Sequence, residues 1–124
     1  MSSDAPHLAR GRAAEDLAAA HLAAHGLRIV ARNFRVAGGE IDLIARHGEE
    51  LVFVEVRSRR SAAYGSAAET VNAAKRRRIR LAAEHYLAGL RQRTLPPCRF
   101  DIVSVTGALD AAQLDWLCGA FTND

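Results

Sequence analysis

The chain has 124 residues, 49% of them hydrophobic and 25% charged, with a formal net charge of +3. That length suits one domain whose core needs neither a disulfide nor a structural metal. No apolar run approaches membrane-spanning length and the first residues lack a positive-then-apolar signal pattern, so a cytoplasmic protein with no membrane partner is expected.

Residues 1–6 read as a loose tail and residues 7–124 as the single domain. A helix is predicted from residue 7 or 8 to residue 25, closed by Gly26. At 100° per residue, Glu15 falls among Leu8, Gly11, Ala18, Ala19 and Leu22 on one side of that helix. A carboxylate there either pairs with an Arg, reaches water at the stripe's edge, or serves a metal site beneath the helix. Residues 27–34 read as a first strand, with β-branched Ile29 and Val30 in its middle. Gly38 and Gly39 let the following turn take backbone angles closed to other residues.

Residues 39–57 then read as a β-hairpin, two apolar runs around a turn at His47, Gly48 and Glu49. A two-residue or a four-residue loop pairs His47 with Glu50 and puts Asp42 opposite Glu55. A three-residue loop would shift the register by one and send the two carboxylates to opposite faces. In the favoured register Glu40, Asp42, Glu55 and Arg57 share one face, while Ile41, Leu43, Ala45, Val52, Val54 and Val56 form an apolar one. Like charges directly opposed on a sheet are destabilising, so a positive charge must compensate. Either Arg57 bridges the acids at a solvated edge or a bound cation sits between them.

Residues 58–68 form a loop bearing Arg59, Arg60, Tyr64 and Gly65, a composition able to grip or stack on nucleic acid. A second helix starts near Thr70 or Asn72 and runs to Leu90, with Val71, Ile79, Ala82, Ala83, Tyr86 and Leu90 as its apolar stripe. Lys75 lies in line with that stripe, aimed inward or snorkelling out along it. Arg76, Arg77 and Arg80 point elsewhere, toward solvent or a polyanion. Of the 17 basic residues only Lys75 is not Arg, and Arg clusters favour bidentate phosphate contacts, although a charge run by itself is often a solvated face. Residues 99–105 read as a strand parallel to the second hairpin strand, since a helix intervenes. Residues 114–117 form a short edge strand anchored by Trp116. Cys98 and Cys118 lack metal-site spacing and are expected as buried free thiols. The order α-β-β-β-α-β gives a mixed α/β (α+β) domain, a mixed sheet flanked by helices.

Two carboxylates on adjacent strands, a third acid on a helix and nearby cations suit Mg²⁺ or Mn²⁺, hard ions that take oxygen ligands. The corresponding reaction is metal-assisted hydrolysis of a phosphodiester, with the basic clusters on the phosphate backbone.

The run Gly-Gly-Glu-Ile-Asp-Leu-Ile, then Leu-Val-Phe-Val-Glu-Val-Arg, Tyr-Gly, Lys75 and Arg-Phe-Asp-Ile-Val, spread over residues 11–121, closely resembles the YraN-like family of uncharacterised small bacterial proteins. Members look like the restriction-endonuclease fold shared with Holliday-junction resolvases. The resemblance implies a nuclease site written Asp, spacer, Glu-x-Lys, onto which Asp42 and Glu55 map, with Glu15 in the place of a helix-borne acid. Arg57 stands where that motif has Lys and cannot act as a base near neutral pH. Lys75 is the alternative amine, and Arg76 stands where relatives often have Gln.

The reading is therefore a Mg²⁺- or Mn²⁺-dependent nuclease acting on DNA, with branched DNA as a candidate substrate. Asp42, Glu55 and Glu15 are its candidate metal ligands, and Arg57 and Lys75 complete the candidate catalytic set. Arg57, Arg59, Arg60, Tyr64, Lys75, Arg76, Arg77 and Arg80 are the candidate nucleic-acid contacts. A homodimer would let two equivalent sites cut two strands. The alternatives are an inactive nucleic-acid-binding module and a protein-interaction domain of the same fold.

Overall fold

The structure, a computed structural model, describes residues 6–61 and 71–122, with side chains from residue 11 onward. Helix α1 (Pro6–Ala24) precedes strands β1 (Arg28–Val36), β2 (Gly39–His47) and β3 (Glu50–Arg59). Helix α2 (Ala73–Leu90), strand β4 (Cys98–Thr106), a 3₁₀ turn (Leu109–Ala111) and strand β5 (Gln113–Phe121) follow. The five strands lie in sequence order in one sheet, antiparallel except for β3 beside β4. The mixed α/β class and the parallel pairing across the helix are as expected. Among the described residues no helix is long and apolar enough to cross a membrane.

Each end of α1 and α2 that the sequence marked has a physical stop. Gly26 takes φ +91°, Leu27 N–H donates to Leu22 O at 3.1 Å and Gly26 N–H to Ala23 O at 3.1 Å. This pair of bonds satisfies carbonyls that the last turn would otherwise leave open. At the start of α2 it is Asn72 that caps, its side chain accepting from Lys75 N–H at 3.0 Å.

The helices cover opposite faces of the sheet, which explains why both faces of the β2–β3 hairpin are buried. Ala14, Ala18, Ala19 and Leu22 of α1 pack on Leu43, Ala45, Val52, Val54, Val103 and Val105. Ile79, Ala82 and Ala83 of α2 pack on Ile41, Ile44, Leu51, Phe53, Phe100 and Ile102. The second cluster corrects the expectation of one polar hairpin face: only its far end, at Asp42, Glu55 and Arg57, is polar. Ile41 and Leu43, two residues apart, also enter different clusters, so the strict alternation expected for β2 fails at Asp42. The ladder is irregular at the same level in the neighbouring strand: Arg32 pairs with Leu43 and Phe34 with Ile41, and Asn33 between them is left-handed, φ +51°.

Helix α2 can approach the start of β2 only because Gly39 has no side chain. A Cβ there would lie 2.6 Å from Arg78 O and 3.0 Å from Ala82 N, both backbone atoms of the helix. Gly39→Ala is therefore expected to lower the unfolding free energy by about 1–3 kcal/mol, read from urea denaturation. An unchanged midpoint would mean that α2 does not press on this turn.

Two expectations fail at the other edge. Strand β5 has nine residues rather than four, and both Cys98 and Cys118 are exposed rather than buried. Phe100 pairs with Phe121 but Ile102 with Leu117, so Cys118, Gly119 and Ala120 bulge opposite Asp101. The bulge interrupts the apolar pattern that marks a strand and turns Cys118 outward, while Cys98 opens β4 at the rim. The tip of the 58–68 loop, including Tyr64, lies outside the described residues, as do residues 1–5 of the predicted tail.

Candidate active site

The turn of the hairpin sets the register. Gly48 takes φ +62° and His47 pairs with Glu50, then Arg46 with Leu51, Ala45 with Val52, Ile44 with Phe53 and Leu43 with Val54. The backbone ladder stops there. One residue further, the Asp42 carboxylate accepts the Val56 N–H at 2.8 Å, supplying the acceptor that β2's backbone no longer provides.

Asp42 and Glu55 hydrogen-bond through their carboxyl groups, and Glu55 is pushed up to about 9. Burial is the largest cause, followed by the hydrogen bond and the charge of Asp42; the Lys75 and Arg57 charges pull the other way without prevailing. At neutral pH Glu55 therefore keeps its proton and donates it to Asp42. Burial and the neighbouring carboxylate, acting together, thus outweigh the two nearby cations at Glu55.

The surrounding cations come from two elements. Lys75, on the first turn of α2, reaches inward and places Nζ 3.8 Å from Glu55 Oε2. Arg57, two residues beyond Glu55 on the same strand face, has an Nε that is buried without an acceptor among the described residues. A donor so placed is costly to leave unmet, by about 1–3 kcal/mol. A small pocket of about 30 Å³, room for a water-sized species, lies between Glu40, Glu55, Lys75, Arg78 and Ile79. Glu40 itself is exposed and pairs with Arg35 at 3.3 Å.

Glu15 stands on the other side of the sheet edge, under α1. Burial and then the Asp42 charge raise its pKa, while a hydrogen bond from Asn33 and the Arg32 charge oppose the rise. It is thus electrostatically linked to the pair, but among the described residues no group of three or more His, Cys, Asp or Glu side chains is close enough to hold a metal. The donor set in hand is the Asp42–Glu55 pair, whose oxygen donors fit the hard ions Mg²⁺ and Mn²⁺, Mg²⁺ commonly taking only one or two protein carboxylates.

The remaining basic residues divide. Arg76 donates from Nε to Val71 O at 2.9 Å and lies 5.5 Å over the Phe121 ring, so it packs α2 onto β5. Arg80 donates to Thr122 O at 3.3 Å. Arg77 is exposed, Arg59 is half-buried at the end of β3, and Arg60 is exposed just beyond it. Sequence reasoning passed over two residues at this site. Arg78 lines the pocket beside Glu55, hidden among four consecutive basic residues, and Asn33 bonds Glu15 from a strand that carried no acid to draw attention to it.

The sequence profile of an uncharacterised protein family, UPF0102, matches residues 14–105. The chain belongs to this family. Its relatives include a UPF0102 protein of Dechloromonas aromatica, 54% identical over 116 residues, 94% of this chain and 91% of the relative. One from Paracidovorax citrulli is 60% identical over 117 residues, 91% of this chain and 82% of the relative. Another, from Saccharophagus degradans, is 48% identical over 118 residues, 95% and 97% of the two chains. The matches agree with the YraN-like resemblance in the sequence, and the family's description states no activity.

Proposed function

We propose that this UPF0102 protein is a metal-dependent nuclease that hydrolyses phosphodiester bonds in DNA, branched DNA included. The observation that carries the reading is geometric: Asp42 accepts the Val56 N–H at 2.8 Å where the hairpin ladder ends, beside Glu55, whose Oε2 lies 3.8 Å from Lys75 Nζ. Asp42 and Glu55 would hold Mg²⁺ or Mn²⁺, whose chemistry there would be to polarise a phosphoryl oxygen and lower the pKa of a water. Arg57 offers its unmet Nε to the phosphate and stabilises charge there without exchanging a proton. Lys75 is the one amine at the site and orients the Glu55 carboxylate once that group has lost its proton. Glu15, held by Asn33, keeps a further negative charge beside Asp42 and strengthens the demand for a cation.

A second reading, a module that binds nucleic acid without cutting it, is favoured by Arg57 at the position where a Lys would be expected. One experiment separates them. Linear, single-stranded and four-way-junction DNA are incubated with wild-type protein, with and without Mg²⁺ or Mn²⁺, and with Asp42→Ala and Glu55→Ala. The nuclease reading expects metal-dependent products from wild type and none from either variant. Cleavage that survives in both variants, or is never seen, would sink it, and intact binding without any cleavage would support the second reading.

A further inference from the structure

We propose that the outer face of α2, through Arg77 and Arg78, carries the phosphates of DNA from the acid pair toward the β1–β2 turn. This deepens the nuclease reading by giving the strand a direction, and it is tested by binding alone.

The argument starts from how α2 divides its four consecutive cations and Arg80. Lys75 turns in to Glu55, while Arg76 and Arg80 turn to β5 and find partners in Val71 O, Phe121 and Thr122 O. The side chains of Arg77 and Arg78 are exposed, and among the described residues neither has an ion pair or a hydrogen bond. These two line an open cleft of about 490 Å³ whose other walls include Gly38, Leu81 and Glu84. Arg78 also lines the small pocket beside Glu55 and Lys75, so the cleft and the candidate active site adjoin at this residue.

The chemistry of the cleft selects its occupant. Among the described residues of the lining, Arg77, Arg78 and Arg80 face a single acid, Glu84, and the first turn of α2 carries no acid to offset the positive end of the helix. Gly38 leaves one wall without a side chain, which admits a bulky backbone. An acidic protein segment would need apolar anchors as well as charge, and among the described residues Leu81 is the only large apolar side chain in the lining. A chain of phosphates requires only the guanidinium groups.

The test is the salt dependence of binding to duplex and four-way-junction DNA, by fluorescence anisotropy in Ca²⁺. Wild type is compared with the double variant Arg77→Ala/Arg78→Ala and with Arg93→Ala, an exposed cation beyond the other end of α2. Each phosphate contact adds about 0.9 to the slope of log K against log salt, so the double variant should lose nearly 2 from the slope. It should bind at least about tenfold more weakly at low salt, melt at the wild-type temperature, and differ from Arg93→Ala, which should behave as wild type. An unchanged slope and affinity in the double variant would overturn the proposal. So would a wild-type protein that does not bind DNA, or one that releases DNA equally well to polyglutamate. Wild-type binding with the expected slope but no cleavage in Mg²⁺ would defeat the nuclease reading and leave this one standing. Cleavage by the double variant with a wild-type KM would do the reverse.

Discussion

Replacing Asp101 by alanine is expected to lower the unfolding free energy by about 3–5 kcal/mol, the range for breaking a buried ion pair by removing one partner. Asp101 is fully buried, and among the described residues its carboxylate accepts from Arg99, Trp116 and Gly119. Arg99 Nε lies 3.1 Å from both its oxygens, Trp116 Nε1 donates at 2.9 Å, and Gly119 N–H donates at 2.9 Å. The last bond serves the bulge where β5 departs from β4, so alanine would leave an indole N–H and a backbone N–H unmet along with the Arg99 Nε–H. Arg99 would keep Glu50, at 2.6 Å, and His47, which limits the loss on that side. Asp101→Asn retains an acceptor and should cost less, whereas Trp116→Phe removes one donor only and should cost least. Urea denaturation of the three variants checks the order. Equal stability of Asp101→Ala and wild type would show that β5 is held by its apolar contacts with Phe100 and Ile102 and not by this carboxylate.

Asp101 and Asp42 occupy comparable places: each puts a carboxylate where a ladder is interrupted and accepts a backbone N–H from the neighbouring strand. What separates structure from site is the rest of the environment. Asp101 meets cations and donors, and its charge is matched. Asp42 meets one N–H, then Glu55 and the field of Glu15, so its surroundings are short of positive charge. The contrast gives a physical reason for reading one aspartate as a staple and the other as a cation site.

The same contrast explains what the sequence could reveal. The hairpin register followed from turn length, a local property, and was legible in the sequence as far as Leu43 and Val54, whereas the break in alternation at Asp42 was not. The apolar stripe of α2 was legible for the same reason. Asn33 was not, because a left-handed residue inside a strand is stabilised by its neighbours across the sheet, and nothing in the adjacent residues announces it. Strand β5 was cut short by its Cys118-Gly119 bulge, which the structure accommodates through the side chain of a residue 18 positions away. The fates of Arg76 and Arg78 also depended on tertiary contacts: helical spacing sends them to different sides, but only the placement of Phe121 and Glu55 says which side packs and which borders the acids.

Asp42→Asn is expected to make the metal-free protein more stable at alkaline pH while removing a candidate metal ligand. In the folded chain Glu55 holds its proton to about 9, against an ordinary value of 4.5. Between those values the folded state binds a proton that the unfolded state has released, so stability conferred by protonated Glu55 is complete below about 4.5 and is lost as pH rises toward 9. Asparagine can still accept the Val56 N–H, and its amide can donate to Glu55, but the opposing charge is gone. The Glu55 pKa should then fall under the pull of Lys75 and Arg57, and each unit of that fall restores about 1.4 kcal/mol at high pH. Unfolding free energies measured from pH 5 to pH 9 in EDTA should decline in wild type, decline less in Asp42→Asn, and diverge in the variant's favour toward the alkaline end. Glu15, whose pKa the Asp42 charge also raises, shifts in the same direction, and the groups that do not feel Asp42 cancel in the difference. Adding Mg²⁺ should reverse the order at pH 9, because the ion competes with the proton for the paired carboxylates and stabilises wild type more than a variant with one carboxylate fewer. Parallel pH profiles in EDTA would show that Asp42 and Glu55 do not share a proton. Diverging profiles with no effect of Mg²⁺ would keep the shared proton and remove the metal, leaving Lys75 and Arg57 as the only charges that answer the pair.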